Sequence, residues 1–148
     1  MNPLIEKYNV PVPRYTSYPT APHFTDGIGP DDYAAWLGGL DASNALSLYF
    51  HIPFCDSMCW FCGCYTKIVK QYKPIGAYLE ILLKEIEAVA DRLPGRFAVR
   101  HLHWGGGSPT LLTGADWMRT LARIRDRFEV TADAEVAVEM DPRGTTED

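Results

Sequence analysis

Residues 45–64 read "ALSLYFHIPFCDSMCWFCGC". The first eight, Ala45 to Ile52, are apolar and aromatic and stop at Pro53, which predicts a buried strand. A thiol-bearing loop follows at once. Cys55, Cys59, Cys62 and Cys64 are the four cysteines of the chain, and all lie in this loop. A disulfide framework spreads its cysteines to staple distant segments, whereas these are too close together to constrain much chain. The better reading is a metal or cluster loop, hung from the end of a strand.

Reading outward, residues 74–92 place Tyr78, Ile81, Leu82, Ile86 and Val89 at helical spacing. Residues 97–104, "FAVRHLHW", alternate and predict a second strand, followed by "GGGSPT". Thr113 can cap a helix over 114–128, with Trp117, Leu121 and Ile124 on one face. Residues 134–140, "AEVAVEM", predict a third strand, and "DPRG" behind it is a turn signal. The order is βαβαβ, so the fold class is α/β with a parallel sheet. Cysteines follow the first strand, glycines the second, and Glu139 ends the third. In parallel α/β folds functional groups gather on that carboxyl edge.

Before the sheet, residues 1–29 are rich in proline and read as an extended leader that wraps a larger body. "GPDDYAAWLGGL" predicts a short helix, with Pro30 at its first position and Asp31 and Asp32 at the positive end of its dipole. The expected organisation is a leader and short helix over 1–44, then a partial barrel over 45–148. A closed barrel takes about 250 residues, so the chain reads as the N-terminal part of a longer protein, cut after about three strands.

Composition bounds the function. The chain is 47% hydrophobic and 22% charged, which is enough apolar material for one core. A net charge of −5 argues against nucleic-acid and anionic-membrane partners, because phosphate binding needs a basic footprint. No run approaches the ~20 apolar residues of a spanning helix, and "MNPLIEKYNV" has no apolar signal segment. The cytoplasm is the expected compartment.

Cys55, Cys59 and Cys62 give C-x3-C-x2-C, and Cys64 adds a C-x-C step. Structural zinc normally takes a closed set of four ligands, often as two separated pairs, and a second pair is missing. Thiolates also suit iron–sulfur clusters. Three on one loop can hold three irons of a [4Fe–4S] cube and leave the fourth open to a ligand.

C-x3-C-x2-C after a first strand resembles the signature of the radical S-adenosylmethionine (SAM) superfamily. The wider string "YFHIPFCDSMCWFCGC", with "PRYTSYPT", "HLHWGGGSPT" and "EMDPR", resembles its oxygen-independent coproporphyrinogen III oxidase branch. The resemblance covers nearly the whole chain. It implies a radical SAM (β/α) barrel, a [4Fe–4S] cluster on Cys55, Cys59 and Cys62, and bound SAM, with a second SAM molecule proposed for the family. Cys64 is typical of the oxidase branch and is no cluster ligand there. By the same resemblance, Tyr49 contacts the cofactor on the cluster and Phe61 lies near the second SAM. Gly106, Gly107 and Ser108 meet the methionine part of SAM, and Glu139 is an acidic SAM contact. Family members often have Thr where this chain has Ser108, so the hydroxyl is kept.

The implied reaction is radical. One electron from the cluster cleaves SAM, and the 5′-deoxyadenosyl radical takes hydrogen from a propionate β-carbon of coproporphyrinogen III. Loss of CO₂ and one electron leaves a vinyl group, and two rounds give protoporphyrinogen IX. The resemblance further implies a low-potential electron donor, a monomer at full length, and an inactive 148-residue chain. One alternative is a haem chaperone of the same superfamily, against which Cys64 and "PRYTSYPT" argue. Another is an interaction module stapled by zinc.

Blander readings stand beside these. The glycine run can be a tight turn needing positive φ. Tyr49 can be core packing, and Glu139 a solvated strand end. Trp60 and Phe61 can simply shield a cluster from water. His51, His101 and His103 read as packed or hydrogen-bonded strand residues without a ligand role.

Overall fold

The computed structural model describes residues 2–9, 19–60 and 62–144. The chain divides into two compact units, residues 1–33 and 34–148.

In the first unit, α1 (Pro3–Tyr8) is a short helix where an extended leader was expected. Asn2 explains it: its side chain accepts the Leu4 N–H at 2.9 Å, and Pro3 stands at the first helical position. A 3₁₀ turn follows at Ala21–His23. Most of "PVPRYTSYPT" lies outside the described residues. Helix α2 (Pro30–Gly38) forms where predicted. Asp32 reaches back to accept the Gly29 N–H at 2.8 Å, the reciprocal half of a capping box.

The second unit carries the sheet. Strand β1 (Leu46–Ile52) runs into the two-residue β2 (Phe54–Cys55), which pairs in parallel with β3 (Lys67–Ile68). Helix α3 (Lys73–Ala90) leads to β4 (Ala98–Gly106), and α4 (Gly114–Arg127) leads to β5 (Glu129–Val138). The main sheet is ordered β1-β4-β5, parallel throughout, as the βαβαβ order predicts.

Alternation along the strands sorts two faces. Phe50, Ile52, Val99, Leu102 and Trp104 are buried with Leu79, Leu82, Leu83 and Ile86 of α3 and Ile124 of α4. Burying one such aliphatic side chain contributes about 1.5–3 kcal/mol, so this layer holds the helices to the sheet. Trp104 stacks on Phe50 at 5.0 Å and meets Trp117 edge-on at 5.1 Å. The buried stripe of α3 is Ile75, Leu79, Leu82, Leu83, Ile86 and Ala90. Ile81, predicted to share it, is 63% exposed, because the stripe turns about Leu79 and Leu82 and leaves Ile81 on the far side. The opposite face of the sheet bears Tyr49, His51, His101 and His103.

Strand β5 starts earlier than predicted because its register with β4 slips. Val99 pairs with Val130, but His101 pairs with Glu135. The intervening "TADA" forms an irregularity in the ladder, with the Thr131 hydroxyl on the Val99 carbonyl at 3.3 Å. The uninterrupted pairing, Glu135–Val138, lies within the strand predicted over 134–140. No helix among the described residues is long and apolar enough to cross a membrane.

Thr113 caps α4 as expected, accepting the Asp116 N–H at 3.2 Å. Asp116 in turn accepts from the hydroxyls of Tyr72 and Thr113 and pairs with Arg119 at 3.0 Å. The Tyr72 hydrogen bond, with help from Thr113 and Arg119, holds the Asp116 carboxyl below the usual aspartate range. A depressed native pKa stabilises above the unfolded value, ~3.9, and that contribution disappears as pH falls through the native one. Asp116→Asn is therefore expected to cost about 1–2 kcal/mol at neutral pH. It should also flatten the acid limb of the stability curve below about pH 4. Urea unfolding across pH checks both; an unchanged acid limb would remove Asp116 from the account.

Candidate cluster and cofactor site

The first turn of the site is dictated by Pro53, which ends β1. Lys67 N–H donates to the Pro53 carbonyl at 2.7 Å and Val69 N–H to the Cys55 carbonyl at 2.9 Å. These bonds and the β2–β3 pairing pin both feet of the loop that carries the cysteines. Inside it, Cys62 N–H donates to the Cys59 carbonyl at 3.2 Å, a tight turn that keeps those two residues together.

No disulfide joins the four thiols. Cys55 is half-buried, and its sulfur receives the Thr66 hydroxyl at 3.3 Å and the Ser108 hydroxyl at 3.7 Å. Cys59 is exposed and receives an Arg143 N–H at 3.2 Å. Burial, then the neighbouring Cys62, pushes the Cys64 thiol up, and Glu139 and Cys55 add to the effect.

The glycine run meets the loop from β4. Gly107 N–H donates to the Ile52 carbonyl at 2.9 Å, and Ser108 N–H to the Phe54 carbonyl at 2.7 Å. Gly106 has φ +107°, so the turn reading accounts for this glycine. Gly107 has another reason: a Cβ there would overlap the Phe54 backbone. Ser108 is only 5% exposed, and its hydroxyl faces Cys55.

Glu139 follows β5, its N–H held by the Trp104 carbonyl at 2.9 Å. Its carboxylate accepts the Gly106 N–H at 3.1 Å and lies 3.2 Å from His103 Nε2. Tyr49 sits across the sheet, its ring edge-on to His103 at 5.5 Å. Its hydroxyl is 3.0 Å from His51 Nδ1, and His51 Nε2 is 3.1 Å from the Tyr65 carbonyl. A carbonyl only accepts, so Nε2 carries the proton and the Tyr49 hydroxyl donates to Nδ1. Burial, with the charges of Glu139 and Cys64, raises the Tyr49 phenol above its ordinary value.

The sheet thus gathers Tyr49, Gly106, Gly107, Ser108, Glu139 and Cys55 at its carboxyl edge. Phe61 lies outside the described residues. The two histidines read as hydrogen-bonded strand residues turn out to be the links: His51 ties Tyr49 to the cysteine loop, and His103 joins Tyr49 to Glu139. Thr66 and Arg143 escaped the sequence reading. Arg143 is part of the turn signal "DPRG" and of the family-like string "EMDPR", but neither assigns it a role; its one physical signal is that it is the cation directly behind the third strand.

Three thiolates from one loop are a soft donor set, which suits iron–sulfur chemistry. Among the described residues no three His, Cys, Asp or Glu side chains converge on a single-ion site. A cube asks for no such convergence, since each thiolate binds its own iron. The donor set of the loop fits a [4Fe–4S] cluster.

Comparison with known proteins agrees with this geometry. The model of the radical SAM superfamily matches residues 49–148. The chain is 48% identical over 137 residues to the oxygen-independent coproporphyrinogen III oxidase of Bradyrhizobium diazoefficiens, covering 93% of this chain and 30% of that protein. It is 44% identical over 140 residues to the Escherichia coli enzyme of the same name, covering 95% and 30%. The solved structure of coproporphyrinogen III oxidase from Escherichia coli, described as a radical SAM enzyme, superposes with a TM-score of 0.80 at 38% identity, over 97% of this chain and 31% of that one. The chain spans about 30% of the length of the curated relatives it matches. With its cysteine loop, glycine turn and acidic strand end on one edge of a parallel sheet, and a family match running from Tyr49 to the end, the chain belongs to the radical SAM superfamily.

Proposed function

We propose that the protein of which this chain is part carries out the oxygen-independent oxidative decarboxylation of coproporphyrinogen III to protoporphyrinogen IX in haem biosynthesis. The observation that carries the reading is the seating of the C-x3-C-x2-C loop: it leaves β1 pinned at both feet, with Cys55 against Ser108 of the glycine segment. The similarity to coproporphyrinogen III oxidases over nearly the whole chain supports the choice of substrate.

When bound, the cluster and SAM supply one-electron reduction and the radical that takes hydrogen from a propionate side chain. The chain's own residues hold and orient. Cys55, Cys59 and Cys62 would hold the cluster. Gly106 and Gly107 would meet the methionine part of SAM, and Glu139, fixed by His103 and the Gly106 N–H, offers a carboxylate to a ligand ammonium group. Tyr49, steadied by His51, faces the same space. Ser108 and Phe61 complete the proposed SAM contacts, with Phe61 near a second SAM molecule. Substrate contacts, a low-potential electron donor, a monomeric state and a cytoplasmic location belong to the same reading.

The test is anaerobic reconstitution with iron and sulfide, then EPR of the reduced protein with and without SAM. A [4Fe–4S]⁺ signal that changes on adding SAM is expected, followed by SAM-dependent formation of protoporphyrinogen IX by the full-length protein. A colourless protein loaded with zinc would overturn the reading, and haem transfer without decarboxylation would favour the chaperone. The 148-residue chain alone is expected to give no turnover, because three strands supply only one arc of the site; measurable turnover from it would refute that.

A further inference from the structure

Arg143 stands in the 3₁₀ turn Pro142–Gly144 behind β5, yet it reaches the cysteine loop. Its Nη2 donates to Cys59 Sγ at 3.2 Å. Its Nε donates to both carboxylate oxygens of Asp141, at 2.9 and 3.0 Å, and Nη2 bonds to Asp141 as well. Asp141 also accepts the Arg143 backbone N–H at 3.0 Å, so the turn and the side chain share one anchor. Other charges beside the loop are Glu139, Asp56 and Lys70, whose Nζ donates to the Asp56 carbonyl at 2.7 Å.

We infer that Arg143 is a positioning residue that fixes Cys59 and raises the reduction potential of the cluster Cys59 helps to hold. The inference rests on the cluster reading above. Reduction adds negative charge to a cluster already ligated by thiolates. A cationic N–H on a ligand sulfur stabilises that more negative form, and hydrogen bonds to the sulfurs are an established lever on potential. A planar guanidinium has the right shape for this role. Asp141 occupies one side of the fork and sets its plane, and an N–H remains for the sulfur. Cys55 receives neutral hydroxyls, so the bond to Cys59 is the charged one.

The experiment compares wild type, Arg143→Met, Arg143→Lys and Asp141→Asn in the reconstituted full-length protein. Midpoint potential is followed by EPR-monitored titration, and iron loss by transfer to a chelator. Arg143→Met is expected to shift the potential negative and speed iron loss. Arg143→Lys keeps the charge but not the fork, so it should recover part of the potential and little of the iron retention. Asp141→Asn removes the countercharge and should shift the potential positive, which keeps the idea testable where the methionine variant holds no cluster. A methionine variant with wild-type potential, equal shifts in the lysine and methionine variants, or no positive shift in Asp141→Asn would overturn the inference alone. A wild-type protein that takes up no cluster overturns the parent reading and this one with it.

Discussion

Serine in place of Cys55, Cys59 or Cys62 is expected to reduce reconstituted iron to background and to abolish the EPR signal, whereas serine in place of Cys64 leaves both. The reasoning starts from the ligand. A hydroxyl is far less acidic and harder than a thiol, so it gives up the iron that a thiolate keeps. Even outer partners of a metal ligand are worth about 10–100-fold in affinity, and loss of a direct ligand should exceed that. None of the three substitutions threatens the fold. Cys59 and Cys62 are exposed, and Cys55 would keep its neighbours Thr66 and Ser108 as hydroxyl partners. Iron and sulfide analysis beside far-UV circular dichroism therefore separates loss of cluster from loss of structure. A folded Cys59→Ser protein with full iron, or a Cys64→Ser protein without any, would sink the assignment of the three ligands.

The parts of this molecule legible in the sequence are those set by neighbours in the chain. An apolar, aromatic run ending at Pro53 placed β1, alternation placed β4, "AEVAVEM" before its turn signal placed the last part of β5, helical spacing placed α3 and α4, and Thr113 marked where α4 begins. Local signals also went unused, since Asn2 and Pro3 specify α1 well enough. What stayed hidden depends on distant partners. The two-residue strands β2 and β3 are too short for any periodicity and exist because their pairing closes the cysteine loop. The slip after Val99 is a property of two strands together. Arg143 and Cys59 are 84 positions apart, and nothing in "DPRG" announces a thiol partner. For the site, the cysteine spacing named its own chemistry. The glycine run stated that something comes close, and only the fold shows that it is the Phe54 backbone at Gly107 and the His51 ring at Gly106.

Alanine at Gly107 should be the most damaging small substitution in the glycine run, costing about 3 kcal/mol, the upper end for overpacking. Its Cβ would lie 2.8 Å from the Phe54 carbonyl carbon and nitrogen, a distance real Cβ atoms do not show. Relief would need Phe54 to move, and Phe54 is held on every side. Its carbonyl accepts the Ser108 N–H, its ring is buried edge-on to Tyr78, and its strand pairs with β3. Shifting it would drag Cys55, the next residue, out of reach of Ser108. Gly106→Ala meets a softer obstacle, the His51 ring at 2.5 Å, together with a φ of +107° that alanine rarely adopts. Gly114 supplies the control: nothing lies near its Cβ position and its φ is not positive, so alanine there should be neutral or stabilise by up to about 1 kcal/mol. Urea midpoints for the three variants are expected to fall in the order Gly114→Ala, Gly106→Ala, Gly107→Ala. The last should also lose iron uptake even at temperatures where it remains folded, because the strain is relieved at the foot of the cysteine loop. A Gly107→Ala protein as stable as wild type and able to hold its cluster would mean that the β2 backbone yields freely, and that the close approach of glycine to Phe54 does not position Cys55.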